Sequence, residues 1–329
     1  MNLRSFDPTN PNHISAIVAI WNAACGPDLA ISPRFVEFNT RGATGSAQGG
    51  LLAVQHGEPV GCVIASALPH DPSVSPPETG WVDLIAVRPD ARRQGIGGSL
   101  LGWAEEWLRE QGCAQARLGG SLRPFVPGLP DELRNDGFFR PRGYTGRANG
   151  EFVWDVARDL SDYEPRRANC SPSFHFGDLR QFAPQVRPAQ PGDQAALLEF
   201  FYCEFPNRWR FEFQEFLRRG GRISDWMILL TERGIDGFAR LTFEDSIQPY
   251  ERYYPYRLPR PWGQLGPIGV SAGLRGKGCG GQLLDAALVR LRDSGVKGCI
   301  IDWTGLLDFY AKFGFQPYRK YLMLIKHQL

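Results

Sequence analysis

Apolar residues along the chain return in two rhythms. Around Ile14, Ile17, Val18 and Trp21 they recur every three or four positions, the period of a helix with one buried face. Short apolar runs follow at 51–54, 61–65 and 81–87, which predict strands. Ile96, Leu100, Leu101, Ala104 and Leu108 then form the stripe of a long amphipathic helix, and Gly112 stands where a left-handed cap would end it. A strand is predicted at 114–118. The same order comes round again. A helical run over 195–201 precedes strands at 226–230, 237–241 and 265–270. The stripe Leu283, Leu284, Ala287, Leu288 and Leu291 follows, then Gly295 and a strand at 298–303. The pattern predicts an α+β fold, with a mostly antiparallel sheet and one β-α-β crossover in each half.

The repetition can be measured. Arg4 and Arg187, each opening a first segment, lie 183 residues apart, and so do the glycine turns that begin at Arg92 and Arg275. A third pair, Phe138-Phe139-Arg140-Pro141-Arg142-Gly143-Tyr144 and Phe309-Tyr310-Ala311-Lys312-Phe313-Gly314-Phe315, is offset by 171. The first copy therefore carries twelve extra residues, which the loop Leu122 to Pro130 accommodates. Two homologous domains are expected at 1–160 and 185–329, joined by a polar, proline-containing linker at 161–184. The strand at Phe152 to Val156 is expected to close the first domain.

Composition narrows the classes of function. The 329 residues suit two domains, and 43% apolar with 22% charged residues is ordinary globular usage. Lys and Arg (37) nearly cancel Asp and Glu (35), so no charge field points to nucleic acid or a membrane surface. The longest apolar runs are far short of the roughly 20 residues a spanning helix needs. Seven cysteines, odd in number and never spaced C-x-x-C, suggest free thiols in a reducing compartment, and a cytoplasmic protein is expected. The five histidines show no ligand spacing, so no metal is implied.

The glycine turns carry the chemistry. Arg92-Arg93-Gln94-Gly95-Ile96-Gly97, with Gly98, and Arg275-Gly276-Lys277-Gly278-Cys279-Gly280, with Gly281, each lead from a strand into a helix. Such a corner presents unpaired backbone N–H groups at the positive end of the helix dipole, and glycine lets a bulky anion approach them. A phosphate or pyrophosphate is the natural ligand, against the plainer reading of a tight turn that tolerates glycine. Gly276, Gly278 and Gly281 also spell G-x-G-x-x-G, with Asp302 21 residues on, as in dinucleotide-binding folds. Against that alternative, five residues separate the strand from Gly276, Leu100 replaces the third glycine in the first copy, and no run of parallel β-α units follows Asp302.

These residues resemble the GNAT acyltransferase superfamily, whose signature Arg/Gln-x-x-Gly-x-Gly/Ala follows the fourth strand. Ile85-Ala86-Val87 running into the first turn, and Ile268-Gly269-Val270 running into the second, are similar to it, and Phe309 to Phe315 matches a further element of the family. The tandem layout is similar to that of mycothiol synthase and other two-domain acetyltransferases.

The resemblance implies that the amides of Arg275 to Gly281, and of Arg92 to Gly98 if the first domain is loaded, hold the pyrophosphate of acetyl-CoA. The fourth and fifth strands would splay apart, and the backbone at Ile268, Gly269 and Val270, or at Ile85, Ala86 and Val87, would bind pantetheine and the acetyl carbonyl. Tyr310 stands where the family keeps a tyrosine near the sulfur, and a phenol can protonate a departing thiolate. Its counterpart, Phe139, has no proton to give. The second domain is therefore expected to catalyse, with the first retaining CoA binding or structure alone. Asp302 is the candidate base, beside Glu244 and Asp245 of the preceding hairpin or a water chain; Asp83 of the first copy matches Gly266 in the second. The acceptor is expected to be a small primary amine. It would be walled by the aromatic, basic segment Tyr250, Arg252, Tyr253, Tyr254, Tyr256, Arg257 and Arg260, with Arg208 and Trp209. The alternative is a CoA-binding sensor without turnover. A monomer or homodimer is expected.

Overall fold

A computed structural model describes residues 1–148, 150–166 and 184–329. The linker expected at 161–184 falls mostly outside the described residues. The first half runs β1 (Asn2–Ser5), α1 (Pro11–Cys25), α2 (Pro33–Thr40), β2 (Ala47–Gln55), β3 (Glu58–Ala67), β4 (Thr79–Val87), α3 (Ile96–Glu110), β5 (Gln115–Leu118), β6 (Leu129–Pro130), α4 (Asp136–Phe139), β7 (Thr145–Gly146) and β8 (Phe152–Asp159). The second runs β9 (Gln185–Pro188), α5 (Gln194–Glu204), α6 (Arg208–Arg218), β10 (Trp226–Thr231), β11 (Gly234–Thr242), β12 (Trp262–Val270), α7 (Cys279–Asp293), β13 (Gly298–Thr304), α8 (Leu307–Ala311), β14 (Gln316–Leu322) and β15 (Leu324–Lys326).

The fold is the α+β plan that the periodicities predict, twice over. Both amphipathic stripes are buried against their sheets, α3 on β3 and β4 and α7 on β11 and β12. Gly112 and Gly295 lie past the helix ends at φ +82° and +87°, and the next residue's N–H bonds back to Leu108 and Leu291 respectively. No helix among the described residues is long and apolar enough to cross a membrane.

The sheets are not divided as the sequence repeats are. One has the order β1-β2-β3-β4-β5-β15-β7, the other β6-β14-β8-β13-β12-β11-β10-β9. Strand β8, which precedes the linker, lies between β13 and β14 of the second sheet, and the C-terminal β15 lies between β5 and β7 of the first. The cores follow the sheets: Val156 and Leu160 pack with α7 residues, and Leu324 with α3 residues. The strand in which the first domain is expected to end thus pairs within the second half's sheet. Either assignment satisfies an apolar alternating strand, and the choice of partner is a long-range property that local pattern does not encode. The twelve-residue insertion also ties the halves together: Phe125 and Val126 are buried, β6 pairs with β14, and the Tyr254 hydroxyl donates to the Phe125 carbonyl (2.7 Å).

In each half the crossover pair of strands is joined only at one end. β4 and β5 are in parallel register from Thr79/Gln115 to Val82/Leu118, β12 and β13 from Trp262/Gly298 to Gln264/Ile300. Beyond those points β4 runs on to Val87, and β12 to Val270, without a partner on that side. Two wedge-shaped openings result.

Candidate active site

Each glycine turn is built alike. Gly95 and Gly278 precede α3 and α7 with φ +82° and +83°, left-handed values that suit glycine, and a Cβ at either would meet nothing within 4 Å. The first bonds of the two helices run from Ser99 N–H to the Gly95 carbonyl and from Gln282 N–H to the Gly278 carbonyl. The amides of residues 95–98 and 278–281 lie ahead of them, at the positive end of a 15-residue helix. Helix-end amides beside a glycine with no neighbour at the Cβ position are the kind of group that could hold a diphosphate. Two residues earlier in each turn, Arg93 holds φ +63° where Gly276 holds +74°. The Arg92 guanidinium is spent on the turn itself, donating to the carbonyls of Val87 (3.2 Å) and Ala24 (3.0 Å).

The first wedge opens into a cavity of about 690 Å³. Ile85, Ala86 and Val87 line it, as do Arg92, Arg93, Gly95, Ile96, Gly97 and Gly98, so apart from Gln94 it gathers every residue expected of the first turn and strand. Gln94 instead accepts a hydrogen bond from Gln55 (3.1 Å). Phe139 is also in the lining, so no hydroxyl stands at the place where the second copy has Tyr310. Asp83 reaches this cavity from β4 while almost wholly buried. Burial pushes its carboxyl up to about 7, against hydrogen bonds to Ser121, Ser66 and Gln48.

The second wedge opens into a cavity of about 530 Å³ that both halves line. Here Tyr310 and Asp302 come together, with Ile268, Gln264 and Thr304 beside them. Short helix α8 presents Tyr310, whose ring packs on Phe309 and Phe315 at centroid distances of 5.0 and 6.2 Å. Burial, and then the Asp302 carboxylate, hold its phenol well above the ordinary value, opposed by a hydrogen bond with Thr304. Asp302 accepts a hydrogen bond from Gln264 Nε2 (2.8 Å). Its own carboxyl is raised by burial, opposed by the Arg252 charge and that hydrogen bond, and raised further by Glu212. Gly269 and Val270 are not in the cavity's lining, and a Cβ at Gly269 would lie 2.9 Å from the Phe205 ring. No residue of the 275–281 turn lines this cavity.

A scan against family models matches the acetyltransferase (GNAT) family at residues 15–121 and 194–315, more than half of the chain and once in each repeat. The chain belongs to the GNAT acetyltransferase family. Solved structures agree on the tandem plan. A GCN5-related glucosamine N-acetyltransferase region of a fungal multi-domain GH3 beta-N-acetylglucosaminidase is 23% identical with TM-score 0.84, over 98% of this chain. This chain spans only 38% of that protein. A tandem GNAT protein from the clavulanic acid biosynthesis pathway is 15% identical with TM-score 0.66, over 98% of both chains. A GCN5-related N-acetyltransferase from Sphaerobacter thermophilus is 19% identical with TM-score 0.65, over 98% of this chain and 95% of that one. At these identities the likeness is one of fold. No curated protein sequence matches the chain.

Within this GNAT frame some expected wall residues fall elsewhere. Arg208, Trp209, Arg252 and Tyr253 do line the 530 Å³ cavity. Tyr254 and Tyr256 instead pack on the first half's core, Arg257 pairs with Asp28, and Arg260 stacks on Trp262. Of the alternative bases, Asp245 pairs with Arg222, and Glu244 accepts the Trp262 amide (3.4 Å), so neither lines the cavity. Glu212, Trp81, Arg117 and Arg147 line it without having been singled out in the sequence. Three of them come from the first half, and only the strand exchange and docking bring them there.

Proposed function

We propose that the protein transfers the acetyl group of acetyl-CoA to a primary amine of a small molecule, in the second half of the chain. What supports the reading is one observation: Tyr310 and Asp302 line a single cavity at the mouth of a splayed strand pair inside a GNAT fold. When bound, acetyl-CoA supplies an activated thioester carbonyl, its diphosphate against the amides of 278–281 and its pantetheine along the free edge of β12. The amine reaches a carbonyl only when neutral, so Asp302 takes its proton, and a raised carboxyl makes the stronger base. Tyr310, kept protonated by burial, gives its proton to the departing thiolate.

In the first half, the 690 Å³ cavity supports acetyl-CoA binding without turnover, because Phe139 carries no proton. Glucosamine is the acceptor to assay first, since a structural neighbour is described as acting on it. The test is thiol release from acetyl-CoA over a panel of amino sugars, polyamines and amino acids, with calorimetry counting acetyl-CoA per chain. Two equivalents bound and acceptor-dependent thiol release are expected. Binding without release for any amine would leave a CoA sensor, and binding of NAD in place of acetyl-CoA would sink both readings.

A further inference from the structure

The first half's share of the 530 Å³ cavity holds donors without acceptors. Trp81 on β4 and Arg117 on β5 are register partners, so their side chains leave the same face of the sheet. Their neighbours Val82 and Leu118 line the other cavity. Arg147, just past β7, joins Trp81 and Arg117 in the lining. Trp81 Nε1, Arg117 Nε and Arg147 Nε are all buried from solvent with no hydrogen-bond partner among the described residues. None of the three side chains has an ion pair there either, and no first-half residue lining this cavity is acidic. Glu78, whose charge acts on Arg117, forms no ion pair with it among the described residues.

The second half's charges offer no relief. Arg208 donates to Glu212 (2.7 Å) and to the carbonyls of Gly120 and Ser121 (both 2.8 Å), and Arg240 donates to Gln248. Arg252 feels the Glu212 and Asp302 charges without forming an ion pair with either, and the Nε atoms of Arg240 and Arg252 are likewise buried without a partner among the described residues, so this wall adds unmet donors of its own. Arg147 shows the imbalance: burial, then Arg117 and Arg208, lower its pKa to about 10. Buried guanidinium nitrogens without a partner are costly unless an anion meets them. Three unmet donors call for a group that only accepts hydrogen bonds, which is what an ionised carboxylate or phosphate is.

We propose that the acceptor amine carries an acidic group, a carboxylate or a phosphate, which Arg117, Arg147 and the Trp81 indole N–H bind from the first half while its amine faces Asp302 and Tyr310. The proposal rests on the reading of this cavity as the acceptor site, and the experiment separates the two. Thiol release by the full chain is measured with matched amines: glucosamine against glucosamine 6-phosphate, and propylamine against β-alanine. The acidic member of at least one pair is expected to have a kcat/KM at least about tenfold higher, the phosphate or carboxylate pair showing which group is meant. In the Arg117→Gln/Arg147→Gln variant that ratio should fall to near one, chiefly through KM.

Tryptophan fluorescence of the full chain, titrated with inorganic phosphate and with succinate, reads the anion site without turnover. Saturable change in the millimolar range is expected, and its loss in the double variant. Equal use of both members of each pair, or a neutral preference, overturns the proposal and leaves acetyl transfer standing. No thiol release with these pairs or with any amine of the wider panel, alongside saturable, arginine-dependent anion binding, supports the anion site and sinks the acetyltransfer reading. Neither release nor anion binding removes both.

Discussion

At the residue scale one oxygen separates the two halves at the position of the proposed proton donor. Tyr310 and Phe139 hold equivalent places in the repeat and both line a wedge cavity, but only the tyrosine can protonate a leaving sulfur. Tyr310→Phe should lower kcat by about 10² to 10⁴-fold with little change in KM for acetyl-CoA, measured by thiol release. Asp302 must be ionised to accept a proton, and its carboxyl is raised. Activity is therefore expected to fall as pH drops through a value above the ordinary carboxylate range, and Asp302→Asn should remove that acidic limb along with most of the rate. A profile unchanged in shape in the variant would discard Asp302 as the base. Asp83 gives a stability test. Its folded value of about 7 exceeds the unfolded 3.8, so its contribution is intact below 3.8 and declines as pH rises to about 7. Asp83→Asn should gain on the wild type by about 1.4 kcal/mol per pH unit across that window, read from urea denaturation. That Tyr310 and Asp302 share a cavity was foreshadowed by the Phe-Tyr-x-x-x-Gly-Phe element that resembles the family's and by the place of Asp302 on the strand after the long helix. Arg117 and Arg147 were not, because their role depends on which domain they face.

At the scale of elements, the helices announced themselves and the strand partners did not. The stripes and glycine caps of α3 and α7 are set by residues within one turn of each other, so local pattern sufficed. β8 and β15 obey the same alternation wherever they pair, and their exchange follows from contacts more than a hundred residues away. β15 is short, but Leu324 is fully buried in the first half's core. Leu324→Ala should cost about 2–5 kcal/mol and lower the melting temperature of the whole molecule in one transition. Two separated transitions, with only the second half weakened, would contradict the exchange.

At the scale of the whole molecule, the halves are fastened by charge as well as by sheet. Glu215 on α6 receives hydrogen bonds from Thr44 (2.6 Å) and Arg123 (2.8 Å) of the first half. Burial pushes its carboxyl up, but hydrogen bonds from Arg218 and Thr44 and the Arg123 charge outweigh this and hold it at about 2. A depressed value means stability present above the ordinary 4.5 and lost as pH falls towards about 2. Glu215→Gln leaves Arg123 buried without its counter-charge and should cost about 3–5 kcal/mol at neutral pH. That deficit should shrink at pH 3, as chemical denaturation at the two pH values would measure. The duplication was plain in the sequence, as a constant offset between motifs; the composite cavity was not, since no spacing along the chain records which surfaces meet.

The strand exchange also governs what a break in the chain would do. A protease cut between the repeats would leave one fragment holding an interior strand of its neighbour's sheet and the other holding an interior strand in return. Neither piece could leave without unzipping five ladders, β8 with β13 and β14, β6 with β14, and β15 with β5 and β7, so the nicked protein should travel as a single particle through gel filtration and come apart only in denaturant.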